Sequence, residues 1–227
     1  MAFQPFDPKA ETQIHRRRLP HWHQRGVTYF ITARLADSIP RAVAEEWRRE
    51  RDGWLARHGV ASVADLDLDR LDEATRRDYH RSFTARFHEL VDECRGECLL
   101  ARPECAARLI ERLAAGHGGD YALDAWCIMP NHLHALVEPE ETAALSRIVA
   151  SWKGGSSREI NRMLGRSGSL WQREAFDHIV RSEEQLALLR RYIRENPSKA
   201  GLRSGFVVGD GAEVLAWPSK DDEGGGT

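Results

Sequence analysis

Residues 121–138 read YALDAWCIMPNHLHALVE. Two runs of apolar and β-branched residues, Tyr121–Met129 and His132–Glu138, flank Pro130-Asn131, and this pattern predicts an antiparallel hairpin with a tight turn. In the second run Leu133, Ala135 and Val137 alternate with His132 and His134. Residues i and i+2 of a strand share a face, so the two imidazoles project side by side, about 6 to 7 Å apart at their Cα atoms. Two histidines so placed can chelate one divalent ion while Leu133 anchors the strand from the other face. Spacing alone fits an ordinary polar pair equally well.

On the N-terminal side, Val27–Leu35 (VTYFITARL) reads as a buried strand, opened by Gly26 and closed by the Asp37-Ser38-Ile39-Pro40 cluster. Pro103–His117 reads as a helix with Pro in its first turn and Gly118-Gly119 after its end. On the C-terminal side, Leu145–Leu164 is helical in its flanks and interrupted at Gly154-Gly155, and Leu170–Arg181 reads as a strand. Ser182–Asn196 is a helix with a Ser182/Gln185 capping box, acids in the first turn, arginines in the last, and Pro197 as a stop. This order predicts an α+β fold, a ferredoxin-like antiparallel sheet with helices packed on one face. Helical patterns over Arg41–His58 and Glu73–Cys94, joined by a polar connector, form an inserted region at about 41–98. One domain over 1–205 and a loosely attached tail over 206–227 complete the expected organisation.

The chain has 227 residues, 41% hydrophobic and 30% charged, which excludes wholesale disorder. No run approaches the ~18 apolar residues of a membrane span, and MAFQPFDPKAETQ lacks the basic-then-apolar order of a signal peptide, so no membrane role and a cytoplasmic location are expected. Cys94, Cys98, Cys105 and Cys127 include no CxxC pair and read as reduced thiols. The net charge of −2 hides an asymmetry: +4 over residues 1–34, −8 over 35–145, +6 over 146–203 and −4 over 204–227. The two basic segments suit a polyanionic partner.

In the last helix, counting about 100° per residue from Leu186, Leu189 and Ile193 fall at about 300° and 340° and define a buried stripe. Tyr192 at about 240° and Asn196 at about 280° lie on its flank, one turn apart. A tyrosine hydroxyl is a weak nucleophile at neutral pH and needs a metal or a base beside it or its target.

WCIMPNHLHALVEP (Trp126–Pro139) resembles the His-hydrophobic-His motif of the HUH single-strand endonucleases, and LLRRYIRENPSKAGL (Leu188–Leu202) resembles the tyrosine helix of the REP-associated tyrosine transposases, an IS200-like branch. RRRLPHW, YFITARL and LWQREAFDHIVRSEEQL are similar to that branch too, so the resemblance runs from about His15 to Leu202. It implies a ferredoxin-like fold and transesterification on single-stranded DNA. Carried over by position, His132, His134 and Asn196 bind Mg²⁺ or Mn²⁺, and Tyr192 is the nucleophile that forms a 5′-phosphotyrosine. The implied partner is a hairpin of a palindromic repeat, met by a monomer as in the REP-associated branch or by a dimer as in the related insertion-sequence transposases, the monomer being favoured. Arg16, Arg17, Arg18 and Arg25 are candidate phosphate contacts, and Trp152, Lys153, Trp171 and Arg173 are candidates for holding splayed bases. His178 is a further residue that could reach the site. Two other readings stay open: a noncatalytic nucleic-acid-binding module, and a phosphodiesterase that activates water.

Overall fold

The computed structural model describes residue 6 and residues 13–16 and 20–217, with the backbone alone at 13–16, 20–23 and 69. A two-stranded hairpin comes first, β1 (Gln13–Arg16) pairing antiparallel with β2 (Pro20–His23). The main sheet is built from β3 (Tyr29–Arg34), β4 (Tyr121–Met129), β5 (His132–Pro139), β6 (Phe176–Ile179) and β7 (Val207–Asp210), in the order β6-β3-β5-β4-β7. Every pairing in it is antiparallel. Helix α4 (Pro103–Ala114) joins β3 to β4, and α5 (Leu145–Met163) joins β5 to β6. The run β3-α4-β4-β5-α5-β6 thus places its first strand between its third and fourth, which is the ferredoxin-like βαββαβ arrangement.

Alternation along the strands sends Ile31, Ala33, Leu133, Ala135 and Val137 into a core shared with Leu109, Leu113 and Ile148 of α4 and α5. The opposite face carries Phe30, Cys127, Met129 and Leu136, packed against Leu186 and Ile193 of α6 (Glu183–Lys199). Helices therefore cover both faces, not one as expected. The central strands are apolar on both sides, and each side needs its own cover.

Three boundaries differ from expectation. Helix α5 runs unbroken through Gly154-Gly155, because a Cβ at Gly155 would run into the Arg112 side chain of α4 and only glycine permits that approach. Helix α6 continues past Pro197 to Lys199; the ring is buried, so packing holds a turn that lacks one helical N–H. Its cap is also modified: Ser182 Oγ accepts from the Gln185 amide, but Gln185 Oε1 accepts from Arg181. The strand expected over Leu170–Arg181 shrinks to β6 plus a single bridge between Leu35 and Trp171.

The insertion is a lobe with its own core, made by Trp54, Leu55, Leu66, Tyr79 and Phe83. Helix α1 (Arg41–Arg57) leads through two short turns into α2 (Glu73–Tyr79), whose first amides are capped by Asp72. The chain stays helical through a π-helical turn at His80–Ala85 into α3 (Arg86–Asp92). Such a turn carries an extra residue and rotates the helix beyond it, and α3 ends at the sheet face that holds the two histidines.

Residues 206–217 are not a loose tail. Strand β7 closes the sheet beside β4, Trp126 Nε1 donates to the Asp210 carbonyl, and Gly209 is the residue whose missing Cβ leaves room for the Trp126 ring. A capping box at Asp210/Glu213 starts α7 (Gly211–Leu215), which buries Val214. The remainder of the expected tail, 218–227, lies outside the described residues. Among the described residues no helix is long and apolar enough to cross a membrane.

Candidate active site

His132 and His134 are fully buried on the face of β5 that looks toward α6. Their orientation is set from behind. Asn131 Nδ2 donates to the Arg95 carbonyl at 2.9 Å, which turns Asn131 Oδ1 to His132 Nδ1 at 2.7 Å. An amide oxygen only accepts, so the proton of a neutral His132 sits on Nδ1 and its Nε2 is a bare lone pair. His134 Nδ1 stands 2.9 Å from Thr32 Oγ1, its cross-strand neighbour on β3, and Phe30 stacks on the His134 ring with centroids 5.3 Å apart. The two Nε2 atoms lie 3.0 Å apart and face away from the backbone together.

Asp92, the last residue of α3, completes the cluster. Its Oδ1 lies 3.3 Å from His132 Nε2 and 3.6 Å from His134 Nε2, and it has no hydrogen-bond partner. Its Oδ2 accepts from the Tyr192 hydroxyl at 2.9 Å and from Asn196 Nδ2 at 3.0 Å. Tyr192 Oη is 3.4 Å from His134 Nε2, and Asn196 Oδ1 is buried without a partner. Tyr192 and Asn196 thus sit as the helical count places them, one turn apart on the flank of the stripe formed by Leu186 and Ile193.

The electrostatics follow from burial. Desolvation pushes both histidines below the ordinary imidazole value, His134 to about 4, so both are neutral at pH 7. Burial works to raise the Asp92 carboxyl, and only a protonated Nε2 on His132 or His134 would work to lower it. Burial and the neighbouring Asp92 charge push the Tyr192 hydroxyl well above its ordinary value, so the phenol keeps its proton. The ligand-type atoms of Asp92, His132 and His134 all lie within 4.8 Å of one another, and among the described residues no other His/Cys/Asp/Glu cluster does so. A carboxylate oxygen with no donor, facing a bare imidazole nitrogen, fits a divalent cation; mixed nitrogen and oxygen donors suit Mn²⁺ at least as well as Mg²⁺.

Asp92 was not legible as a site residue, because nothing near it in sequence marks it out from the acids of the insertion. Asn131 and Thr32 were likewise missed. His88, one turn before Asp92 on α3, packs its ring against Phe30, His134 and Tyr192, with burial lowering its imidazole to about 3. His178 pairs across strands with Phe30 but bonds to Gln185 at 2.7 Å, away from the histidine pair.

The candidate base-holding residues divide. Trp152 and Trp171 are core residues, 1% and 4% exposed, with indoles donating to Tyr121 Oη and Ser156 Oγ; neither can stack on a base, because helix α5 and the sheet already enclose both rings. Lys153 donates to the Arg173 carbonyl at 2.8 Å beside the end of β3. Arg25 is exposed; Arg16 is described by its backbone alone, and Arg17 and Arg18 lie outside the described residues.

A family comparison covers four of the site residues, His132, His134, Tyr192 and Asn196, but not Asp92. Residues 104–196 match the family model described as transposase IS200 like. A Haemophilus influenzae protein described as a REP-associated tyrosine transposase is 32% identical over 87 residues, which make up 34% of this chain and 49% of that protein. The chain thus spans about half the length of that relative. Two solved structures share 15% and 13% identity: a REP-associated tyrosine transposase bound to a REP hairpin, over 80% of this chain and 72% of that one with a TM-score of 0.38, and a Deinococcus radiodurans transposase, over 77% and 93% with a TM-score of 0.29. The segment that carries His132, His134, Tyr192 and Asn196 therefore matches the IS200-like transposases, the family its two motifs resemble.

Proposed function

We propose that this protein is a metal-dependent single-stranded DNA endonuclease and strand transferase that works at palindromic repeat hairpins through Tyr192. The observation that carries the reading is the convergence of His132 Nε2, His134 Nε2 and the unpartnered Asp92 Oδ1 beside the Tyr192 hydroxyl. His132, His134, Asp92 and Asn196 Oδ1 would hold Mg²⁺ or Mn²⁺. When bound, the ion supplies Lewis-acid polarisation of the scissile phosphate and stabilises the charge that builds on it.

The chain's own residues do the rest. Asp92 Oδ2, which also accepts from Asn196 Nδ2, holds Tyr192 Oη at the centre, and Asp92 is the carboxylate positioned to accept the phenol proton. Tyr192 Oη forms a bond to phosphorus as the bond to the 3′-oxygen breaks, and the displaced 3′-oxygen takes up a proton. The product is a 5′-phosphotyrosine and a free 3′-hydroxyl. The phosphodiester energy stays in the tyrosyl ester, so a second 3′-hydroxyl can reverse the step. Tyrosine and histidine pair meet within one chain, which supports action as a monomer.

The test incubates the protein with labelled single-stranded hairpin DNA and Mn²⁺ or Mg²⁺, beside Tyr192→Phe, on a denaturing protein gel. A labelled adduct in the unsubstituted protein alone is expected. Cleavage without an adduct in either protein points to activated water, and binding without cleavage points to a noncatalytic module.

A further inference from the structure

A second basic feature lies beside the histidine pair. Arg34, the last residue of β3, is the cross-strand neighbour of His132 and, by alternation from Phe30 and Thr32, points to the same face. It opens onto a cleft of about 540 Å³ between the end of β3, the first turns of α1 and Gln172. Arg41, Arg48, Asp37 and Glu45 also line it. Three of these charges are already engaged: Arg41 with Glu45, and Asp37 with the Glu97 amide. Arg34 and Arg48 make no ion pair among the described residues; Arg34 Nη1 donates only to Ser38 Oγ, and Arg48 shares the field of Glu45.

Arg48 acts on Arg34 as a like charge, and Arg34 acts so on Lys153, which stands outside the cleft. Burial and Arg48 lower the Arg34 guanidinium to about 10, and burial lowers the Lys153 ammonium to about 8, with Glu174 opposing and Arg34 adding to the shift. Arg34 and Arg48, which line one cleft, repel each other, an arrangement that an anion between them relieves. Guanidinium groups suit phosphate in particular, since they offer paired donors in a plane.

We propose that the Arg34–Arg48 cleft binds a backbone phosphate of the DNA strand next to the one that lies at His132 and His134. The proposal rests on the DNA reading of the site and extends it. It gives the inserted lobe a second role: α3 supplies Asp92, and α1 supplies Arg48, so core and lobe close on the strand together.

The test measures affinity for a labelled single-stranded oligonucleotide over a range of salt, in Tyr192→Phe background so that no adduct forms. Arg48→Gln and Arg34→Gln are compared with Arg49→Gln, which makes the same charge change one residue away on exposed α1 and outside the cleft. Loss of one phosphate contact lowers the salt slope by about 0.7 and weakens binding roughly fivefold near 0.1 M salt. Arg48→Gln and Arg34→Gln are expected to show both effects, with Arg49→Gln within about twofold of the parent. Arg48→Gln that behaves like Arg49→Gln overturns the proposal, as does an unchanged slope in both cleft variants. The adduct assay is separate: an adduct with unchanged slopes removes the cleft and keeps the nuclease, whereas a lost contact without any adduct keeps the cleft and removes the chemistry.

Discussion

The Tyr192 hydroxyl donates to Asp92 Oδ2 over 2.9 Å, tying the last long helix to the end of the inserted lobe. The same carboxylate presents its other oxygen to His132 and His134. Asp92→Asn keeps the shape and removes the charge. Mn²⁺ affinity by calorimetry is expected to fall by roughly tenfold or more, and adduct formation with it. Undiminished Mn²⁺ binding by this variant would falsify Asp92 as a ligand.

Metal is also expected to stabilise the fold. The cluster brings a carboxylate and two imidazole nitrogens together, and an ion bound by the folded state alone adds about 2.7 kcal/mol at one hundred times its Kd. Thermal melts with Mn²⁺ and with a chelator should differ by several degrees in the unsubstituted protein. In His132→Ala that difference should vanish; a shift of equal size there would locate the ion elsewhere.

Asn131 orients His132 through Nδ1, on the opposite side of the ring from the Nε2 that faces Asp92. Asn131→Ala frees the ring to turn, and outer hydrogen bonds of this kind are worth about 10- to 100-fold in metal affinity. Asn131→Asp, which keeps an acceptor at His132 Nδ1, should recover part of that loss. Equal affinity in all three proteins is the outcome that refutes the orienting role.

Trp152 and Trp171 distinguish packing from base stacking. Replacement of either by Phe removes a buried indole hydrogen bond and leaves a void, a loss of about 1 to 3 kcal/mol in urea unfolding. Single-stranded DNA affinity, measured where the variants are folded, should stay within about twofold. A large affinity loss at unchanged stability would show that the rings meet DNA.

Acid sensitivity arises from His88, His134 and His178, whose imidazoles burial lowers to about 3, 4 and 4. Each favours the folded state fully above its ordinary value near 6.5 and loses that contribution as pH falls through 6.5 toward 4, because the unfolded chain takes up the proton first. The chelator-treated protein should therefore have a lower urea midpoint at pH 4.5 than at pH 7.5. His178→Gln, distant from the ligands, should flatten that dependence; a midpoint independent of pH would contradict the burial of these rings.

Strand and helix periodicity determined the hairpin that carries His132 and His134, the βαββαβ order, and the placing of Tyr192 and Asn196 on one flank of their helix, because each depends on residues a few positions apart. The bounds of α5 and α6 escaped the same logic, since Gly155 against Arg112 and the buried Pro197 are tolerated through packing partners distant in sequence. Strand β7 escaped it too: four residues with a glycine become a strand only where Trp126 and β4 receive them. The third ligand-type residue belongs to the same class. Nothing local separates Asp92 from the other acids of an acidic insertion, and only the tertiary fold, by carrying α3 across the sheet, brings its carboxylate to two histidines about forty residues further on.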